Sequence, residues 1–142
     1  TTPYAYGPGS AVKYSVAASP DALDAPVADD PDRLRLALSE ELTHGPVELE
    51  FRVQFQTDPD RMPLEDASVR WSESVSPYQT VARLVLPPQD DFTTPDALAA
   101  CERMGFNPWN GLPDHRPLGG INRVRQRLYE TLARFRNQAH AS

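Results

Sequence analysis

The chain has a single cysteine, Cys101, among 142 residues, so it can form no internal disulfide and no cysteine-rich metal site. The three histidines, His44, His115 and His140, are scattered, with no second histidine and no cysteine at ligand spacing. CxxC, HxxxH and HExxH patterns are missing, so the sequence does not offer a protein-ligated zinc site. Also missing are a GxGxxG run, a P-loop and a nucleophile elbow. No apolar run approaches the roughly 18 residues that a membrane-spanning helix needs, and no such span is expected. Basic charge is scarce: 14 Lys and Arg stand against 20 Asp and Glu, for a net charge of −6. That balance argues against a general nucleic-acid binder. One cysteine leaves the compartment open, cytoplasmic or secreted.

Proline is plentiful instead. Fifteen prolines, about twice the usual share, are spread along the chain as punctuation between short elements. Apolar residues at 39% and charged residues at 24% fit a globular chain of one domain or less with a modest core. Thr1-Thr2-Pro3 opens without an initiator methionine or signal peptide and reads as the start of a processed product or fragment.

Ala11 to Val16 alternates as a short strand. The Pro- and Asp-rich stretch 18–31 reads as a surface loop. Asp30 and Pro31 then open a helix as N-cap and first helical residue. Leu34, Leu38 and Glu41/Leu42 form its stripe, and Gly45-Pro46 ends it. Val47, Leu49, Phe51, Val53 and Phe55 alternate without error with Glu48, Glu50, Arg52, Gln54 and Gln56. This is an antiparallel strand with one buried and one wet face.

A polar connection over 57–78 leads to a strand from Thr80 to Leu86. Its apolar residues lie on both faces, which predicts a place deep in a sheet, and Pro87-Pro88 ends it. Thr94-Pro95-Asp96 starts a short helix through Met104, and Gly105 stops it. A rigid loop from Phe106 to Pro113 precedes a helix from about Ile121 to Asn137. Ile121, Val124, Leu128, Leu132 and Phe135 give that helix a stripe expected to face the core.

Charge is divided unevenly. Residues 117–142 hold five arginines and one glutamate (+4), whereas residues 1–116 hold nine basic and nineteen acidic groups (−10). A basic terminal helix on an acidic body invites an anionic group such as a phosphate, carboxylate or propionate. Alternatively its arginines pair with the body. Gly119-Gly120 ahead of the helix serves either as an anion cradle of free N–H groups or as a plain turn.

Arg125 and Tyr129, four residues apart, share one helix face. A guanidinium held against a phenol favours the phenolate, since a nearby positive charge stabilises the ionised form of an acid. Tyrosine is one of the proximal haem ligands. The spacing alone also fits ordinary packing. Other side chains have plain structural readings: Trp71 and Trp109 as packing anchors, Cys101 as a small core hydrophobe, and His115 as structural. Arg116 and Arg123 are candidates for pairing with a propionate.

The order of these segments carries a resemblance. It runs through Val47–Phe55, Ser76-Pro77-Tyr78-Gln79-Thr80-Val81-Ala82-Arg83-Leu84-Val85-Leu86, Phe106-Asn107-Pro108 and Arg125-x-x-x-Tyr129-Glu130-Thr131. It resembles the second half of the haem-catalase core, and more closely the compact catalase-related proteins, whose late segment is similar to FNPWNGLPDHRPLGGINRVRQRLYE. The likeness covers nearly the whole chain from Ala11 onward.

It implies an α+β fold: a partial antiparallel β-barrel of the catalase type with C-terminal helices, completed by another chain or segment. Residues 1–142 would be the proximal-haem-side portion, with no independent second domain. It further implies haem b as cofactor, Tyr129 as the axial iron ligand, Arg125 as the group holding it as tyrosinate, and Phe106, Pro108 and Ile121 against the proximal haem face.

Catalases carry a Phe two residues after the arginine, where this chain has Arg127. They also carry a histidine after the Lys-aromatic pair, where this chain has Ser15. The distal histidine and asparagine lie in the family's N-terminal half, and no residue here takes those roles. The resemblance therefore implies a peroxidase or catalase-like oxidoreductase that works only with a second chain carrying the N-terminal half and its distal histidine, in a heteromer or higher oligomer. Two other readings remain: a haem-free catalase-like scaffold acting as a binding or assembly module, and anion or nucleic-acid binding through the arginine-rich helix.

Overall fold

Residues 1–18, 31–89 and 92–139 are described by the computed structural model. In chain order they form β1 (Pro3–Ala5), β2 (Ala11–Ala18), α1 (Arg33–His44), β3 (Val47–Phe55), β4 (Gln79–Leu86), α2 (Pro95–Arg103), a one-turn 3-10 helix (Pro113–His115) and α3 (Gly119–Ala139). The four strands make one open antiparallel sheet in the order β1-β2-β3-β4. The fold class is α+β.

Strand β3 runs over the same residues as the uninterrupted alternation. Its partners Val12, Tyr14 and Val16 on β2 stand opposite Phe55, Val53 and Phe51. Because directly opposed residues share a face, one face gathers Tyr4, Val12, Tyr14, Phe51, Val53 and Phe55. Tyr14 stacks on Phe51 with ring centroids 5.2 Å apart, and Tyr4 leans on Tyr14 at 5.1 Å. Val12 and Val53 are fully buried there, while Val16, towards the end of β2, and Leu84 on β4 are open to solvent.

The opposite face is wet at its Glu48 end, as expected, but covered at its Gln54 end. Gln54 is 1% exposed, because the 57–78 connection folds back over it. The Gln54 amide donates to the carbonyls of Ser76 (2.8 Å) and Trp71 (3.3 Å), and the Gln56 amide donates to Met62 O at 2.7 Å. Met62 and Trp71 are buried in this layer, and the Lys13 ammonium sits 4.5 Å from the centre of the Trp71 ring. Glutamine at these positions satisfies loop carbonyls that would otherwise be buried without a donor.

Strand β4 corrects the expectation of a deep position. It is the edge strand, exposed along nearly its whole length, with Val81, Leu84 and Val85 in solvent. The two-faced apolar pattern describes a strand that wants cover on both sides, and the described residues supply little of it.

The Thr94 hydroxyl caps α2 by accepting from Ala97 N at 3.2 Å, and Pro95 follows as its first residue. Helix α1 begins at Arg33 after Asp32, and its expected cap, Asp30, lies outside the described residues, as does most of the 18–31 loop. Of its stripe, Leu42 is buried, but Leu34 and Leu38 are exposed. Extensive contacts between elements run strand to strand; lighter ones join α2 to α3 and β1 to the 3-10 turn.

The largest departure is the face that α3 presents. Ile121, Val124, Leu128, Leu132 and Phe135, expected in the core, are all exposed, Val124 to 66% and Phe135 to 67%. The side turned to the rest of the chain carries Asn122, Arg125, Tyr129 and Ala133 instead. Cys101 is likewise exposed, not a core hydrophobe.

Candidate functional site

The first turns of α3 are held between β1 and the 57–78 connection. Leu118 N donates to Pro3 O at 2.9 Å, and Ala5 N to Arg116 O at 2.9 Å, so the segment before α3 runs beside β1. Gly119 has φ +82°, and a Cβ there would meet the carbonyl oxygen of Leu64. A positive φ and so close a backbone approach together demand glycine. This is the role of Gly119 in the structure: it lets the chain turn into the helix under the 57–78 connection.

Asn122, fully buried, donates from Nδ2 to Pro3 O and to Leu118 O, both at 2.8 Å. Its own carbonyl accepts from the Trp109 indole at 2.9 Å, which pins the loop ahead of α3 to the helix. From this anchor the helix projects Arg125 and Tyr129. Arg125 donates to Thr2 Oγ1 (3.1 Å), Asn122 Oδ1 (3.2 Å) and the Tyr129 hydroxyl (3.0 Å). Its guanidinium carbon lies 5.1 Å from the Tyr129 ring centre. The hydrogen bond to Tyr129 holds the Arg125 guanidinium above the usual arginine range, against the opposing effect of partial burial.

The structure therefore brings together two of the five expected site residues, and a third lies in the same row. Ile121, Arg125 and Tyr129 follow one another at four-residue steps along α3. Ile121 is 48% exposed; it also borders a cavity of about 10 Å3, room for one water, beside Lys13 and Leu64. Phe106 and Pro108 stand in the loop between α2 and the 3-10 turn, Phe106 58% exposed and Pro108 half-buried. Neither shares a hydrogen bond or a ring contact with Tyr129. Thr2 and Asn122 were not singled out from the sequence. Asn122 stands three residues before Arg125, a spacing that places it within reach on a helix, whereas nothing local marks Thr2.

Arg123 is taken by a forked pair with Glu65, at 3.0 and 2.8 Å, and this hydrogen-bonded cation holds the Glu65 carboxyl below the usual carboxylate range. It is the one α3 arginine that pairs with the acidic body among the described residues. Arg116 donates to Pro113 O. No protein-family model and no curated protein matches this chain.

His115 sits edge-on to Tyr6 at 5.4 Å, His44 bonds the Glu40 carbonyl, and His140 lies outside the described residues. Among the described residues no three His, Cys, Asp or Glu side chains converge as a metal cage. What the arrangement offers a metal is one oxygen: the Tyr129 hydroxyl accepts from Arg125 and has no second partner among the described residues. That oxygen keeps a lone pair beside a fixed cation.

Proposed function

We propose that this chain supplies the proximal side of a haem b site in a catalase-related, peroxide-dependent oxidoreductase. The observation that carries the reading is the 3.0 Å bond from Arg125 to the Tyr129 hydroxyl, at the positions where the resemblance puts the axial ligand and its arginine. The bound haem would supply the redox chemistry with peroxide, which the protein side chains cannot.

This chain's own part is positioning. Arg125 donates an N–H to the Tyr129 oxygen at 3.0 Å and fixes where that oxygen points, and Tyr129 would be the residue that holds the haem iron. Thr2 and Asn122 keep Arg125 from swinging away. Ile121, Phe106 and Pro108 contribute apolar wall on the proximal side. The group that cleaves the peroxide bond, a distal histidine, comes from a second chain or segment carrying the N-terminal half. The same partner would complete the barrel, and the uncovered β4 edge supports that completion, since an exposed strand edge calls for a pairing strand.

A second reading is favoured by one observation. Arg125 is already satisfied by Thr2, Asn122 and Tyr129 within the chain, so the pair also works as a tie between α3 and the N-terminal strand of a haem-free assembly module.

Absorption spectroscopy on the protein from its native source, with intact-mass analysis of every chain present, separates the two. The haem reading expects a ferric Soret band and a co-purifying chain, with the band lost in Tyr129→Phe. A native complex without a Soret band, and with none after haem b is added, would leave the assembly module.

A further inference from the structure

Helix α3 is inside out for a free-standing domain. Its polar row (Asn122, Arg125, Tyr129) faces the chain's own body, and its apolar stripe faces solvent. From Val124 to Phe135, beyond the Ile121 assigned above to the haem side, the stripe is about 17 Å long and follows the three- and four-residue steps of a helix-packing seam.

The flanks of this seam are basic. Arg127 and Arg134 lie along one side, Arg125 and Arg136 along the other. None of these four has a carboxylate partner among the described residues: Arg134 and Arg136 reach only the carbonyls of Glu130 and Met104, and Arg125 reaches neutral groups. Arg125 and Arg136 are half-buried against the chain itself, whereas Arg127 and Arg134 are exposed, so the seam with its free basic side is complementary to an apolar surface edged by carboxylates.

We infer that the α3 seam docks a protein partner whose matching face is an apolar ridge, most simply a helix, flanked by Asp and Glu. The inference rests on the reading above in one respect, that a partner exists, and adds the chemistry of its contact. A second copy of this chain does not fit: pairing two α3 helices sets arginine flank against arginine flank, and like charges facing each other cost affinity. An anionic membrane fits less well, since residues 1–116 carry a charge of −10 and would be repelled from the same surface.

The probes are two synthetic amphipathic helices with one leucine seam, flanked by glutamates in one and by lysines in the other, titrated into the 142-residue chain by calorimetry. The glutamate-flanked peptide is expected to bind at least tenfold more tightly than the lysine-flanked one. Its affinity should fall as salt rises, and Leu128→Gln or the pair Arg127→Glu/Arg134→Glu should weaken it at least tenfold with the circular dichroism unchanged. Equal binding of the two peptides overturns the proposal. So does no binding of either, self-association of the chain through α3, or preference for phosphatidylserine vesicles over the acidic peptide. Tyr129→Phe, which tests the haem reading, leaves the exposed seam intact and should not alter the titration, so the two ideas fail separately.

Discussion

Asn122 Nδ2 lies 2.8 Å from the carbonyl oxygen of Pro3, joining residues 119 positions apart in the chain. The same side chain bonds Leu118 O and receives Arg125, so one buried amide sets both the seat of α3 and the aim of its arginine. Asn122→Ala would strip donors from buried carbonyls, at a cost of about 2–3 kcal/mol. A urea midpoint that stays at the wild-type value would show that the anchor lies elsewhere.

Gly119→Ala should be worse than a helix propensity scale suggests. Alanine is favoured in helices, yet here it meets a φ of +82° and the Leu64 carbonyl. The expected loss exceeds about 2 kcal/mol, measured by denaturant unfolding. A stabilised variant would contradict the seating of α3 under the 57–78 connection.

Lys13 provides a pH test. Burial lowers its ammonium below the ordinary lysine value of 10.5. Between the folded and unfolded values the unfolded chain holds the proton more firmly, so the penalty is fully present at lower pH and stability rises as pH climbs through that interval. Relative to Lys13→Met, the wild type should gain stability as the pH is raised towards the ordinary lysine value of 10.5. Parallel curves for the two proteins would mean that the ammonium is not desolvated over Trp71.

Leu128→Gln should change the stability of the chain by no more than about 0.5 kcal/mol, because the side chain is exposed. A leucine in a packed core would lose about 2–5 kcal/mol on truncation. A loss of that size would return the stripe to the interior of the chain.

Much of the secondary structure was legible because each element announces itself locally. The alternation from Val47 to Phe55 is the strand, and Thr94-Pro95 is a cap and first turn. What periodicity cannot carry is the identity of the neighbour. The α3 stripe has the right spacing, but it faces outward because the polar Asn122 and Arg125 make the inward contacts. Gln54 and Gln56 read as wet by alternation, yet their value lies in carbonyls of a connection whose return path leaves no periodic mark. The Arg125–Tyr129 contact follows from helical spacing, whereas Thr2 enters only through the sheet that brings the first residues beside α3.

Strand β4 has eight residues, no lysine and no proline, and Arg83 as its single charge. Such a border lacks the usual guards against mispairing. Its exposure sets a kinetic competition: collisions between two lone chains grow with the square of their concentration, whereas capture by a partner grows with the product of two. On the proposed reading, in which a partner completes the sheet, overproduction without a matching supply of that partner would feed aggregates faster than complexes.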